Sequence, residues 1–260
     1  MLLTFDVGNS ETTVGLFDGE TLRAHWRLTT DVPRTSDEYG VLLRGFLAGA
    51  QVSLTDVHGA AIGSVVPRVT QPLADACRDW LSSRRVEVLD ATSPLPITLA
   101  VDEPRTVGAD RIINTLVASR RYQRDAIVVD LGTATTFDCI TKDAVFLGGV
   151  IAPGVRTSAE NLFRRTSKLP ATELVAPPRA IGKNTEDCIR SGVMFGAAES
   201  IDGIVRRIIA EWPNGDRPFV VGTGGLAELF APLCRSFDAV DPYLTLRGLA
   251  MAFDLVAPAR

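Results

Sequence analysis

The sequence predicts an α/β chain of two similar domains, each a mixed β-sheet flanked by helices, facing each other across a cleft. The chain has 260 residues, more than one typical domain of roughly 100–200 residues and enough for about two. The second observation is an internal echo. Asp6-Val7-Gly8-Asn9-Ser10-Glu11-Thr12-Thr13 near the start matches Asp130-Leu131-Gly132-Thr133-Ala134-Thr135-Thr136 in the middle, each an apolar strand ending in an acid, a Gly and a hydroxyl-rich hairpin. Helical stretches follow the hairpin in both halves. We place the halves at 1–114 and 115–260.

The elements read in order as follows. Residues 2–7 are an apolar run stopped by Gly8, a buried strand entering a turn. Residues 13–18 and 22–29 carry β-branched and aromatic residues around Gly19, which predicts an antiparallel meander. Ser36, followed by Asp37 and Glu38, is expected to cap a helix over 37–50. A strand over 57–65 precedes Pro67, which opens a helix to Ser82 with Val69, Leu73, Ala76, Cys77, Trp80 and Leu81 on one face. Residues 86–105 contain prolines and little periodicity and are expected as an ordered connection. A helix from Gly108 to Tyr122 leads to strands over 126–132, 135–141 and 144–151. Helices are expected at 154–164, 184–211 and 224–234, the last after a strand over 218–222, and a helix over 244–256 closes the chain.

Composition excludes several classes. Hydrophobic content of 46% allows sizeable cores, and a net charge of −4 lacks the basic face that nucleic acid calls for. Cys77, Cys139, Cys188 and Cys234 form no CxxC pair, and only His25 and His58 could join them, so a zinc site is not expected. Scattered cysteines read as reduced thiols in a cytoplasmic protein. The start, Met1-Leu2-Leu3-Thr4-Phe5-Asp6, has no basic region, and no stretch approaches the ~18 apolar residues of a membrane span.

The chemistry sits in the turns. A tight hairpin after Gly8 presents successive backbone N–H groups as a concave anion site, and Asn9, Ser10, Thr12 and Thr13 add neutral donors. Asp6 repels a bare phosphate but serves it through a magnesium-bound water, because magnesium keeps several waters and takes few protein carboxylates. The same holds for Thr133, Thr135 and Thr136 in the second copy. A turn that merely ends a strand is the alternative for either copy alone. Phe219–Leu226 enters a third Gly-rich turn before a helix, where glycines admit a flat ligand or a phosphate. No GxxxxGK[ST] occurs, so a P-loop is excluded.

Taken together, the Asp6–Ser10 turn, Gly108-Ala109-Asp110-Arg111, Asp130–Thr136 and the Gly-rich turn resemble the type III pantothenate kinases of the actin, hexokinase and acetate kinase superfamily. The resemblance runs from Asp6 to the C-terminal helix. It implies two actin-like (ribonuclease H-like) domains with ATP in the cleft, and ATP-dependent phosphorylation of pantothenate, the first step of coenzyme A synthesis. Asp6, Val7, Gly8, Asn9, Ser10, Glu11, Thr12 and Thr13 look like the ATP-phosphate loop, with Thr133 a further ATP contact. Gly108, Ala109, Asp110 and Arg111 look like the substrate loop, Asp110 as general base and Arg111 on the pantothenate carboxylate. Asp130 looks like the ligand of a monovalent cation, potassium or ammonium, and Mg²⁺ accompanies ATP. Thr185 looks like a substrate contact reached across a homodimer interface built on helix 184–211. The sequence departs from the family pattern at Ser10, where Thr is commoner, and at Val101, where a substrate-facing Tyr is usual. The resemblance also admits a related kinase for another small hydroxy acid, and a non-catalytic nucleotide-binding accessory factor in transcription.

The implied roles have physical counterparts. Asp110 lies at the start of the helix over 108–122, where the dipole is expected to keep a carboxylate ionised. A helix-capping Asp followed by a solvated Arg is the alternative. Arg111 suits a carboxylate because its planar fork binds both oxygens. Asp130 ends a strand where a carboxylate and nearby carbonyls suit potassium, with a turn-capping Asp as the alternative. His25, His58, Trp26, Trp80, Trp212 and the basic run Arg164, Arg165, Lys168 read as structure.

Overall fold

A computed structural model describes residues 1–81, 85–213 and 215–256. It divides into two compact units, Met1–Arg121 with Ala144–Phe146 and Tyr243–Arg260, and Tyr122–Asp143 with Leu147–Pro242.

In the first unit, Leu2–Val7 forms β1, Glu11–Asp18 β2 and Thr21–Thr29 β3. These pair antiparallel in sequence, the expected meander. Helix α1 (Ser36–Gly49), β4 (Gly59–Ser64), α2 (Pro67–Trp80) and β5 (Val86–Leu89) follow. Because a helix crosses between them, β4 returns parallel to β1, and β5 parallel to β4, giving the order β3-β2-β1-β4-β5. The central strand β1 is covered on both faces, with Leu3, Phe5 and Val7 on one and Leu2, Thr4 and Asp6 on the other. Leu3, Phe5 and Val7 pack with Leu43, Leu47, Leu73 and Cys77 from α1 and α2. On the other face Leu2 and Ala61 pack with α3 (Ala109–Tyr122) and α7 (Leu244–Leu255) through Ile112, Ile113, Leu249 and Phe253.

The second unit repeats this plan. β7 (Ala126–Leu131), β8 (Ala134–Ile140) and β9 (Val145–Pro153) precede α4 (Val155–Arg164) and α5 (Thr185–Ala210). Then come β10 (Phe219–Thr223), the single turn α6 (Ala227–Phe230) and β11 (Ala239–Val240). β7 pairs antiparallel with β8 and parallel with β10, and β10 pairs parallel with β11; the sheet has six strands in the order β6-β9-β8-β7-β10-β11, where β6 is Thr98–Leu99. The run from β9 to β11 repeats the order of the first sheet, and β6 is an added edge strand. Ile127, Val129 and Val220 pack here with Met194, Ala198 and Ile201 of α5.

Several expectations change. The helix expected from 37 is capped by Thr35, not Ser36: Glu38 N–H donates to Thr35 Oγ1 at 3.3 Å, and Thr35 N–H donates to Glu38 Oε2 at 2.8 Å. A reciprocal capping box satisfies two end groups, which Ser36 cannot. The proline-bearing connection holds two strands, β5 and β6 (Thr98–Leu99), the latter pairing with Val145 and Phe146 inside the first unit. The helix expected over 224–234 shrinks to α6, one turn. Ser82, the expected end of α2, lies outside the described residues. The division at 114/115 falls within α3, which groups with the first unit up to Arg121. α7 also belongs there, because its apolar side covers the second face of β1 and β4.

Candidate active site

The first turn is built by the end of β1. Asp6 pairs laterally with Thr13 of β2 and Gly63 of β4. Gly8 N–H donates to Glu11 O at 3.1 Å and Thr30 N–H to Ser10 O at 3.0 Å, which leaves Asn9, Ser10 and Glu11 exposed at the tip. Val7 is in the core, and its carbonyl accepts from Val65 N–H. The hydroxyls of Thr12 and Thr30 lie 2.9 Å apart and both residues are buried. The Thr12 side chain thus fastens the hairpin to Thr30, because its place in β2 turns it to the core. Glu11 faces Arg27 at 3.8 Å.

The loop expected to meet the substrate follows a 3₁₀ turn at Pro104–Thr106 and reaches Gly108 just before α3. Asp110 Oδ1 accepts the Arg111 N–H at 2.8 Å. The carboxylate also folds back over Gly108, where a Cβ would lie 2.6 Å from Asp110 Oδ1. Burial raises the pKa of Asp110, and the Arg111 N–H and guanidinium offset this only in part. The expectation of a carboxylate kept low by the helix dipole is thus corrected: desolvation outweighs the start of one helix. Asp6 responds in kind, pushed up to about 7 by burial and then by the Asp110 charge. The backbone explains their proximity. A Cβ built on Gly63, the lateral partner of Asp6, would lie 3.9 Å from that of Ala109 and 3.0 Å from Leu249 Cδ2, so the start of α3 packs close beside this strand end. Arg111, for its part, is not a solvated Arg; its guanidinium stands 5.0 Å from the centroid of the buried Phe146 ring.

The second turn has the same frame with one residue fewer. Asp130 pairs with Thr136 and Thr223, as Asp6 does with Thr13 and Gly63. Gly132 N–H donates to Ala134 O at 3.0 Å, and Thr135 is buried as Thr12 is. Thr133 is exposed at the tip, its carbonyl accepting from Thr157 Oγ1 at 2.9 Å. The Gly-rich turn after β10 explains itself here. Gly224 has φ +87°, and a Cβ there would lie 2.3 Å from Asp130 Oδ1. The glycine makes room for this carboxylate, and the one-turn α6 beyond it offers no helix terminus for a phosphate. Thr185 is the exposed first residue of α5, whose cap Asn184 accepts the Asp187 N–H at 2.8 Å.

The structure thus brings Asp6 together with Gly108–Arg111 in the first unit, and sets Asp130 and Thr133 on one turn of the second. Phe146 and Thr157 carry no sequence signal for these positions, whereas the Gly224 turn was marked in the sequence as one that admits a ligand. Among the described residues, no three His, Cys, Asp or Glu side chains cluster as a metal cage. The residues read as structure are so placed. His25 Nε2 bonds the Tyr243 hydroxyl at 2.7 Å, His58 Nδ1 lies 3.1 Å from the Met1 amine, and buried Trp212 donates from Nε1 to Asp125. No helix among the described residues is long and apolar enough to cross a membrane.

A family model described as type III pantothenate kinase matches residues 2–207. A type III pantothenate kinase of Roseiflexus sp. is 46% identical, covering 98% of this chain and 99% of that protein. One of Moorella thermoacetica is 42% identical over 98% of this chain and 99% of its own length. Among solved structures, a protein from Campylobacter jejuni assigned to the Baf family of transcriptional activators superposes with TM-score 0.61 at 18% identity, covering 97% of this chain and 98% of that one. The activator of 2-hydroxyisocaproyl-CoA dehydratase from Clostridium difficile, with bound ADPNP, gives TM-score 0.55 at 11% identity over 98% and 94%. At these identities the two structures speak to the fold alone.

Proposed function

The chain belongs to the type III pantothenate kinase family, and from that premise we propose how its own residues carry ATP and pantothenate to ADP and 4′-phosphopantothenate. The observation that carries the assignment is the Asp6–Asp110 pair, two carboxylates brought together where the first hairpin meets the substrate loop. As the pantothenate hydroxyl oxygen bonds to the γ-phosphorus, the bond from that phosphorus to the leaving ADP oxygen breaks, and the hydroxyl proton passes to Asp110. A raised proton affinity improves Asp110 as acceptor, since a base works best with a pKa near the operating pH. Arg111 holds the pantothenate carboxylate in a two-point fork, its plane backed by Phe146. Gly108 and Ala109 shape the loop around the substrate.

Asp6 fits Mg²⁺ through the chemistry of its surroundings: a carboxylate crowded by a second one favours a cation, and a water-mediated contact suits that ion. When bound, Mg²⁺ neutralises charge developing on the phosphates. The exposed tip residues Asn9, Ser10 and Glu11, with Val7, Gly8 and Thr13 behind them, hold the ATP phosphates, and Thr133 adds a contact. Asp130 offers one carboxylate beside backbone carbonyls, a donor set that fits potassium or ammonium. Thr185, exposed on α5, reaches the pantothenate of a second copy in a homodimer, and the enzyme works in the cytoplasm.

A coupled ADP-release assay tests this reading. ADP should appear only when pantothenate is added, and faster with potassium. Release with a different small hydroxy acid but not pantothenate would favour the related-kinase alternative. Nucleotide binding without release would favour a non-catalytic factor.

A further inference from the structure

Gly108 sits two residues before the proposed base, and the reason for a glycine there is not a turn. Its φ lies outside the left-handed range, and it precedes the first residue of α3. What excludes a side chain is the base itself. A Cβ at Gly108 would meet Asp110 Oδ1 at 2.6 Å, with Val65 Cγ1 next at 3.3 Å. The first distance is closer than real Cβ contacts come, whereas the second asks only for a few tenths of an ångström from an aliphatic side chain. The same Oδ1 accepts the Arg111 N–H at 2.8 Å. One oxygen of Asp110 therefore accepts a hydrogen bond and fills the space that a side chain at Gly108 would need.

We propose that Gly108 is a positioning residue, whose missing side chain is the seat that fixes the Asp110 carboxyl in its proton-accepting pose. The proposal rests on Asp110 being the base. Beside its place in the substrate loop, it gives Gly108 an effect exerted through Asp110.

A double-mutant cycle separates these possibilities. Gly108→Ala should lower kcat on the order of 10–10²-fold, the usual cost of displacing a catalytic group by about 1 Å, while KM for ATP is unchanged. In an Asp110→Ala background, where no carboxyl remains to be displaced, adding Gly108→Ala should change the residual rate by about twofold or less. Thermal unfolding supplies a second readout that needs no activity: Gly108→Ala should lower the melting temperature, and Asp110→Ala should restore it in the double variant. Wild-type turnover in Gly108→Ala overturns the proposal, as does an equal loss of rate or melting temperature in both backgrounds. Wild-type turnover in Asp110→Ala alone would instead remove the base assignment beneath it.

Discussion

The turns at Asp6 and Asp130 leave their sheets by the same route: each follows a central strand, pairs antiparallel with the next strand, and faces a parallel strand on the other side. Their surroundings part at the parallel neighbour. Beyond β4, the start of α3 brings Asp110 near Asp6, and two half-buried carboxylates feel each other's charge. Beyond β10, the chain brings a glycine instead, and Asp130 rests on the α-carbon of Gly224. A duplicated frame thus carries unequal chemistry. One copy accumulates negative charge that a proton or a divalent cation relieves; the other presents a single seated carboxylate. The actin-like plan fixes where an acid stands, and the segment after the parallel strand decides what the acid can do.

If the first copy holds the base, the largest effect falls there. Asp110→Asn should cut turnover by about 10²–10⁴-fold with ATP binding intact by fluorescence or calorimetry; near-normal turnover would break the asymmetry at its centre. The contribution of the second unit to the substrate is smaller. Thr185→Val removes one neutral hydrogen bond, about 0.5–1.5 kcal/mol, and should raise KM for pantothenate up to roughly tenfold. If the chain is a homodimer with a shared pocket, mixing Asp110→Asn and Thr185→Val chains at pantothenate well below KM should then give activity above either parent, since one pocket of the heterodimer is intact. With subunit exchange verified, activity at the parental average would place the whole pocket in one chain.

The smallest effect sharpens the electrostatic half of the comparison. The Asp6 pKa is raised in the fold, from 3.8 to about 7, so the folded chain keeps a proton that the unfolded chain has released. Stability from this group is full below its unfolded value and is lost as pH rises through about 7, with Asp110 acting in the same direction. Asp6→Asn should therefore melt closest to wild type near pH 4 and increasingly above it as pH rises to 8, by roughly 2–4 °C for each kcal/mol relieved. A gap that stays the same from pH 4 to pH 8 would mean that Asp6 carries no raised pKa in the fold.

Much of this was legible in the sequence because it is local. The apolar run into Gly8, its echo before Gly132, Pro67 at a helix start and the periodicity of 108–122 each point to the element that forms. Thr35 was legible too, since Thr-x-x-Glu announces a capping box, yet the acids after Ser36 drew attention one residue too far. Other features were not, because they depend on what packs from a distance. Short β6 is defined by pairing with Val145 and Phe146, not by its own composition. Asp110 has a helix-start signature that predicts a low pKa, and only its tertiary burial reverses the sign. Gly224 reads as room for a ligand until the strand beside it places Asp130 in that room. Thr12 likewise looks like a donor until Thr30 closes over it.

The division of labour between the two turns is tested most directly by a potassium titration of the initial rate at saturating Mg-ATP and pantothenate, run on wild type, Asp130→Ala and Asp6→Ala. Wild type should be stimulated by potassium, and Asp130→Ala should show a flat response. Asp6→Ala, slowed and with a weakened magnesium dependence, should keep the stimulation. Normal potassium activation in Asp130→Ala, or its loss in Asp6→Ala alone, would contradict the account.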